Sequence, residues 1–206
     1  MKYDLENINA RFGIGSQKWQ EMKNNPLVDE KVIPFSVADM EFKLAPEITE
    51  GLKKFIDDNI LGYAGTNKKY RESVCKWQQE HHDFTVDEKW LVETHSVVNA
   101  FFTAVKAFTQ KGDGVMLFTP VYYPMYKAIE INQRKLVEIP LINNGMTYDI
   151  DWDLFTKKAK AQDTKMLILC SPHNPCGRIW TREELTKISE ICLANDILVV
   201  ADEIHA

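Results

Sequence analysis

Two residues of this chain have the type and spacing to do chemistry together. Asn174 sits in the turn Ser171-Pro172-His173-Asn174-Pro175-Cys176-Gly177-Arg178, and Asp202 ends the apolar run Ile197-Leu198-Val199-Val200-Ala201, 28 positions further on. An amide in a rigid turn and a carboxylate at the end of a buried strand can grip two edges of one flat aromatic ligand. Pro172, Pro175 and Gly177 fix the turn. A carboxylate among apolar strand residues is costly unless it meets a cation or strong donors. A protonated ring nitrogen is such a partner, and the charge pair would keep that nitrogen protonated. A protonated ring is in turn an electron sink for a carbanion. A strand-end aspartate also caps helices or binds metals, and N-P-x-G alone is a weak signal. The pair, in this strand context, is a strong one.

Sites in open α/β sheets form beyond the carboxyl ends of strands. The loops Thr94–Asn99, Thr119–Tyr123 and Ser171–Arg178 follow expected strands, and Asp202 ends another. Ser96 precedes the apolar stretch Val97 to Phe108, so the Val97 and Val98 amides at a helix start suit a phosphate group. Ser96 as a plain N-cap explains the same residues. Tyr122 could lay its ring over a ligand, or be a core aromatic. His205 could hydrogen-bond near such a ring, though a lone histidine is more often structural. His81-His82 read as a solvated helix end. Gly13-x-Gly15 lacks the third glycine and the preceding strand of a dinucleotide fingerprint, and no phosphate-binding G-K-[ST] loop exists.

The elements that must position these residues alternate. Helical spacing begins at Pro46, with Ile48, Leu52, Phe55 and Ile56, and resumes from Asn67 to His81. Strands are expected at Trp90–Thr94, Val115–Phe118, Lys135–Ile139, Lys165–Cys170 and Ile197–Ala201, with helices at Val97–Phe108 and Tyr122–Ile131 between them. Asn143-Asn144-Gly145 reads as a turn. Thr181-Arg182-Glu183-Glu184 is a capping box opening a helix that runs to about Asn195. Such alternation means a mostly parallel sheet with helices on both faces, an α/β fold. Residues 1–46 show no sustained period and read as an arm or part of a small domain, leaving 47–206 as the large domain. The last strand is wholly apolar and asks for neighbours on both sides; bare sheet edges are hazardous. A truncated chain, one piece of a longer protein, is therefore expected.

Composition narrows the class. The 206 residues carry a net charge of −5, which gives no electrostatic reason for a nucleic acid or anionic membrane partner. No segment is long and apolar enough to span a bilayer, and the first residues hold no apolar signal core. Cys75, Cys170, Cys176 and Cys192 form no C-x-x-C pair, so neither a metal site nor a disulfide is expected, and a reducing cytoplasm is the simplest setting.

Taken together, these stretches resemble the cystathionine β-lyase (C–S lyase) branch of the class I/II aminotransferase superfamily, the MalY/PatB type. Its marks here are Pro34-Phe35-Ser36-Val37-Ala38-Asp39-Met40-Glu41-Phe42, Gly62-Tyr63, Tyr126-Lys127-Ala128-Ile129-Glu130-x-Asn132-Gln133-Arg134, Ser171–Arg178 with Trp180-Thr181, and Asp202-Glu203-Ile204-His205. The resemblance covers nearly the whole chain. It implies pyridoxal 5'-phosphate (PLP) as cofactor and the fold-type I transferase architecture. Asp202 would pair with the pyridine nitrogen and Asn174 with the phenolic oxygen. Tyr122 would stack on the ring, Val97 and Val98 would hold the phosphate, and His205 would support the ring from below. Tyr63 would reach the phosphate of a neighbouring subunit, which implies a homodimer, and Ala38-Asp39 would border the substrate. Asp202 and Tyr122 are the residues expected to act closest to the reaction.

The sequence departs from the family at Cys176, where threonine is usual, and at Thr94-His95, where small residues precede the serine. The family's Schiff-base lysine falls about thirty residues beyond the aspartate, outside this chain. The resemblance implies a lyase releasing thiol, pyruvate and ammonia from sulfur amino acids, with the 206-residue chain alone inactive. A PLP-dependent aminotransferase is the second reading. A catalytically inactive fragment of the fold, serving as a binding module, is the third.

Overall fold

The computed structural model describes residues 3–23, 25–28 and 32–206. The chain divides into two compact units, Met1–Gly65 and Thr66–Ala206, a boundary later than the 46/47 division expected from periodicity.

Among its described residues the first unit holds two helices, α1 (Gln17–Lys23) and α2 (Pro46–Asp58). α1 lies within residues 1–46, where no sustained period predicts a helix. This seven-residue helix is too short to show a period, and it is fixed by tertiary contacts of Lys18 and Trp19 instead. α2 begins where Pro46 sets the first-turn dihedral at no hydrogen-bond cost, and Glu47 suits the positive helix end.

The second unit contains α3 (Lys68–His82), α4 (Val97–Phe108), β1 (Gly114–Thr119), α5 (Tyr123–Ile131) and β2 (Lys135–Pro140). The short strands β3 (Ile142–Asn143) and β4 (Tyr148–Asp149), α6 (Trp152–Ala159), β5 (Thr164–Cys170), α7 (Arg182–Ala194) and β6 (Leu198–Asp202) follow. The main sheet runs β2-β1-β5-β6, and every pairing in it is parallel. β3 and β4 form a separate antiparallel hairpin around the expected Asn143-Asn144-Gly145 turn.

Alternation along the central strands explains the layers. Met116, Phe118, Leu167 and Leu169 face Phe155 of α6 and Ile188 of α7. Val115, Leu117, Met166 and Ile168 face Phe101 and Val105 of α4 and Met125 of α5. Each of these side chains is at least 95% buried, contributing about 1.5–3 kcal/mol apiece as an upper estimate. Gly114 is required by close approach: a Cβ there would stand 3.0 Å from Val137 Cγ2 and 3.2 Å from the Thr164 Cα. The capping box forms as expected, with Thr181 accepting from the Glu184 amide and the Glu184 carboxylate accepting from the Thr181 amide.

One expectation fails. Trp90–Thr94 is not a strand. A 3-10 turn occupies Glu88–Trp90, and the extended residues after it pair with no strand, leaving Val92 84% exposed. The Arg71 guanidinium takes the carbonyls of Glu88 and Leu91 and the Glu93 carboxylate, so hydrogen bonds that would have gone to a sheet go to a side chain. The bare edge reasoned from the apolar last strand is present at β6. Its one neighbour among the described residues is β5, and Leu198 is 43% exposed despite the strand's apolar composition.

Candidate cofactor site

The carboxyl ends of β1, β5 and β6 bring the two motifs together. Asp202 lies opposite Cys170 in the parallel register, and its backbone carbonyl accepts from the Ser171 amide at 2.9 Å. The turn carrying Asn174 therefore starts beside the aspartate. Asn174 is half-buried, and its own amide donates to Cys170 Sγ at 3.4 Å. Gly177, at φ +67°, closes the turn in a conformation that disfavours side chains, and its amide donates to the His173 carbonyl at 2.7 Å. The chain then turns back, so that His173 bridges to Arg178. Arg178 lies over the Trp180 ring at 4.9 Å and pairs with Glu184, while the Trp180 indole donates to the Cys170 carbonyl at 2.9 Å.

Asp202 is 5% exposed, and the Ile204 amide, at 3.2 Å, is the one donor to its side chain among the described residues. No cationic side chain of the described residues pairs with it. Tyr122, half-buried at the start of α5, stands near enough to feel that charge. Burial first, then Tyr123 and Asp202, push its phenol above the ordinary range. Burial likewise raises the Cys170 thiol, opposed by the Asn174 amide and reinforced by Asp202. The Asn174 side-chain amide has no hydrogen-bond partner among the described residues.

At α4, Ser96 accepts from the Asn99 amide at 3.1 Å, so the N-cap reading holds. The Ser96 carbonyl takes the Ala100 amide, and the Val97 and Val98 amides remain without partners among the described residues. Both readings of Ser96 are thus compatible. α4 packs on the same face of the sheet as Tyr122. His205 is exposed in the turn after β6, and Tyr63, in the first unit, is wholly exposed. His81 is exposed and stacks on Trp77 at 3.8 Å. All four cysteines are free thiols, and no group of three or more His, Cys, Asp or Glu is placed to hold a metal ion among the described residues.

A family model described as aminotransferase class I and II matches residues 30–206. The chain belongs to that family. Among curated relatives it is 39% identical over 95% of its length to cystathionine β-lyase PatB of Bacillus subtilis, and 28% identical over 98% to protein MalY of Escherichia coli. It spans about half the length of these relatives, 50% and 52% respectively. Among solved structures, cystalysin from Treponema denticola, which contains PLP, superposes with a TM-score of 0.94 at 44% identity, over 99% of this chain and 52% of that one. A PLP-bound C–S lyase from Staphylococcus hominis gives 0.88 at 30% identity, over 98% and 51%. The fold is therefore that of the PLP-dependent transferases of this family, as the sequence resemblance implied.

Sequence reasoning missed several residues that shape this part of the family member. His173, Arg178 and Trp180 stood inside quoted motifs without an assigned task. Arg134, another mark of the resemblance, is structural: its guanidinium takes the Lys106 and Thr109 carbonyls and the Thr109 hydroxyl, tying β2 to the end of α4. The proline-flanked His-Asn pair was the available signal for His173. Nothing local marks Arg134.

Proposed function

We propose that this chain supplies the cofactor-binding part of a PLP-dependent carbon–sulfur β-lyase acting on sulfur amino acids of the cystathionine type, and releasing thiol, pyruvate and ammonia. The observation that carries the reading is the buried Asp202 carboxylate, without a cationic partner among the described residues, at the strand end beside the Asn174 turn.

The donor set fits the cofactor. A buried carboxylate is satisfied by a pyridinium N–H and holds that proton in place. The unpartnered Asn174 amide can donate to a phenolic oxygen, the Tyr122 ring can cover one face, and the Val97 and Val98 amides with the α4 dipole can take a phosphate. Bound there, PLP supplies an electron sink for negative charge at the substrate's α-carbon. His205 is the proposed support on the opposite face, and Tyr63 the proposed contact to a neighbouring subunit's phosphate in a homodimer. Ala38-Asp39 is the proposed substrate border, and the cytoplasm the proposed setting. No helix of the described residues is long and apolar enough to cross a membrane.

The resemblance of the Ala38–Phe42 block to the lyase branch, and the cystathionine β-lyase and C–S lyase names of similar proteins, support the elimination reaction. The native gene product is expected to form pyruvate from cystathionine with no keto-acid acceptor. A strict acceptor requirement would move the assignment to transamination, and PLP binding without turnover would move it to a binding module. The 206-residue polypeptide alone is expected to release no pyruvate above background, because the lysine implied by the resemblance is not among its residues.

A further inference from the structure

We infer that His173 is a positioning residue that fixes the spacing between the Asn174 turn and the Tyr122 loop, and so the width of the slot for the cofactor ring; this rests on the function proposed above. The ring is 2% exposed, and Nε2 lies 2.9 Å from the Pro120 carbonyl oxygen, two residues before Tyr122. A carbonyl only accepts, so Nε2 carries the hydrogen. Nδ1 is buried and makes no hydrogen bond to any described residue. Burial also pushes the imidazole below its ordinary pKa, against the pull of the Pro120 and Cys170 carbonyls. The ring is held with its Nε2–H toward the Pro120 carbonyl and edge-on against Trp180 at 5.4 Å.

The backbone of His173 is equally fixed. Its amide donates to the Arg178 carbonyl at 2.7 Å, and its carbonyl accepts from Gly177. Asn174, the next residue, inherits that rigidity. Tyr122 is held by α5 and Asn174 by its own turn, but neither sets the distance between them. The bonds joining these two loops are His173 to the Pro120 carbonyl and a weaker Cys176 thiol contact to the same oxygen at 3.8 Å. The histidine is therefore the principal strut.

Three measurements test this. Nitrogen NMR of the wild-type imidazole is expected to show the Nε2–H form at neutral pH, and an Nδ1–H or doubly protonated ring overturns the inference outright. His173→Gln places an N–H where Nε2 stands, whereas His173→Asn places one where Nδ1 stands. PLP affinity, read by quenching of tryptophan fluorescence, is expected to stay within about threefold of wild type in the Gln variant and to fall about tenfold or more in the Asn variant. Equal affinities in the two variants overturn the inference. Should the wild type bind no PLP, the proposed function falls instead. The strut is then read from hydrogen exchange at Val121–Tyr123, expected to be faster in the Asn than in the Gln variant, with equal rates overturning it.

Discussion

Among the described residues two carboxylates are buried, one in each unit, and they keep opposite company. Glu41 is 8% exposed and is saturated by its own unit. Arg11 donates through Nε and Nη2 at 3.1 Å, Lys18 Nζ stands 2.5 Å away, and the Trp19 indole donates at 2.7 Å. Lys18 and Arg11 also reach Asp39, at 2.7 and 3.0 Å, closing a four-charge network. Asp202, 5% exposed, has one backbone amide and no cation among the described residues. Burying either charge carries the same kind of desolvation penalty. One is offset during folding. The other is left for the cofactor's ring nitrogen in the function proposed above, a charge kept available for chemistry.

The sharpest way to break this contrast is to neutralise each carboxylate. Asp202→Asn is expected to weaken PLP binding by about 3 kcal/mol, roughly a hundredfold, while leaving the urea-unfolding midpoint near that of the parent, since no internal ion pair is lost. A comparable loss of stability would mean that Asp202 is structural like Glu41. Glu41→Gln should do the reverse: its melting temperature falls by several degrees with PLP affinity unchanged, because Arg11, Lys18 and Trp19 lose their common acceptor.

Acid provides a second separation. Arg11 above all, with Lys18 and Trp19 and against burial, holds Glu41 down to about 2, below the usual 4.5. A depressed folded-state value gives stability that is full above the ordinary carboxylate range and is lost as pH falls from about 4.5 through about 2. Acid unfolding followed by circular dichroism should show a limb in that window, flattened in Glu41→Gln; an unchanged limb would remove Glu41 from the account. The smallest expected effect is the control. Thr181→Ala breaks the capping box of α7 and should cost ~1 kcal/mol in urea unfolding without changing either the acid limb or PLP affinity.

The contrast also explains which parts were legible beforehand. β1, β5 and the α7 capping box were readable because local pattern and burial agree there: Met166–Cys170 is apolar on both faces and is buried on both. Trp90–Thr94 looked equally strand-like, but a strand needs a neighbour's backbone, and here Arg71, on a different element, claims the carbonyls. α1 was invisible because seven residues carry too little period. The Glu41 network was invisible for a related reason. Lys18, Trp19, Asp39 and Glu41 lie about twenty residues apart, and no local rule links them.

The sequence alone determined the alternation of parallel strands and helices, the turn around Asn174, the aspartate closing β6, and the family these belong to, because each is written in short-range pattern and fixed spacing. Only the tertiary structure decided which buried charge is internally paired and which is not, that His173 spans two loops through the Pro120 carbonyl, and that β6 has one neighbour among the described residues. Those outcomes depend on which distant groups come within hydrogen-bonding distance, a property of the packed chain that no local stretch contains.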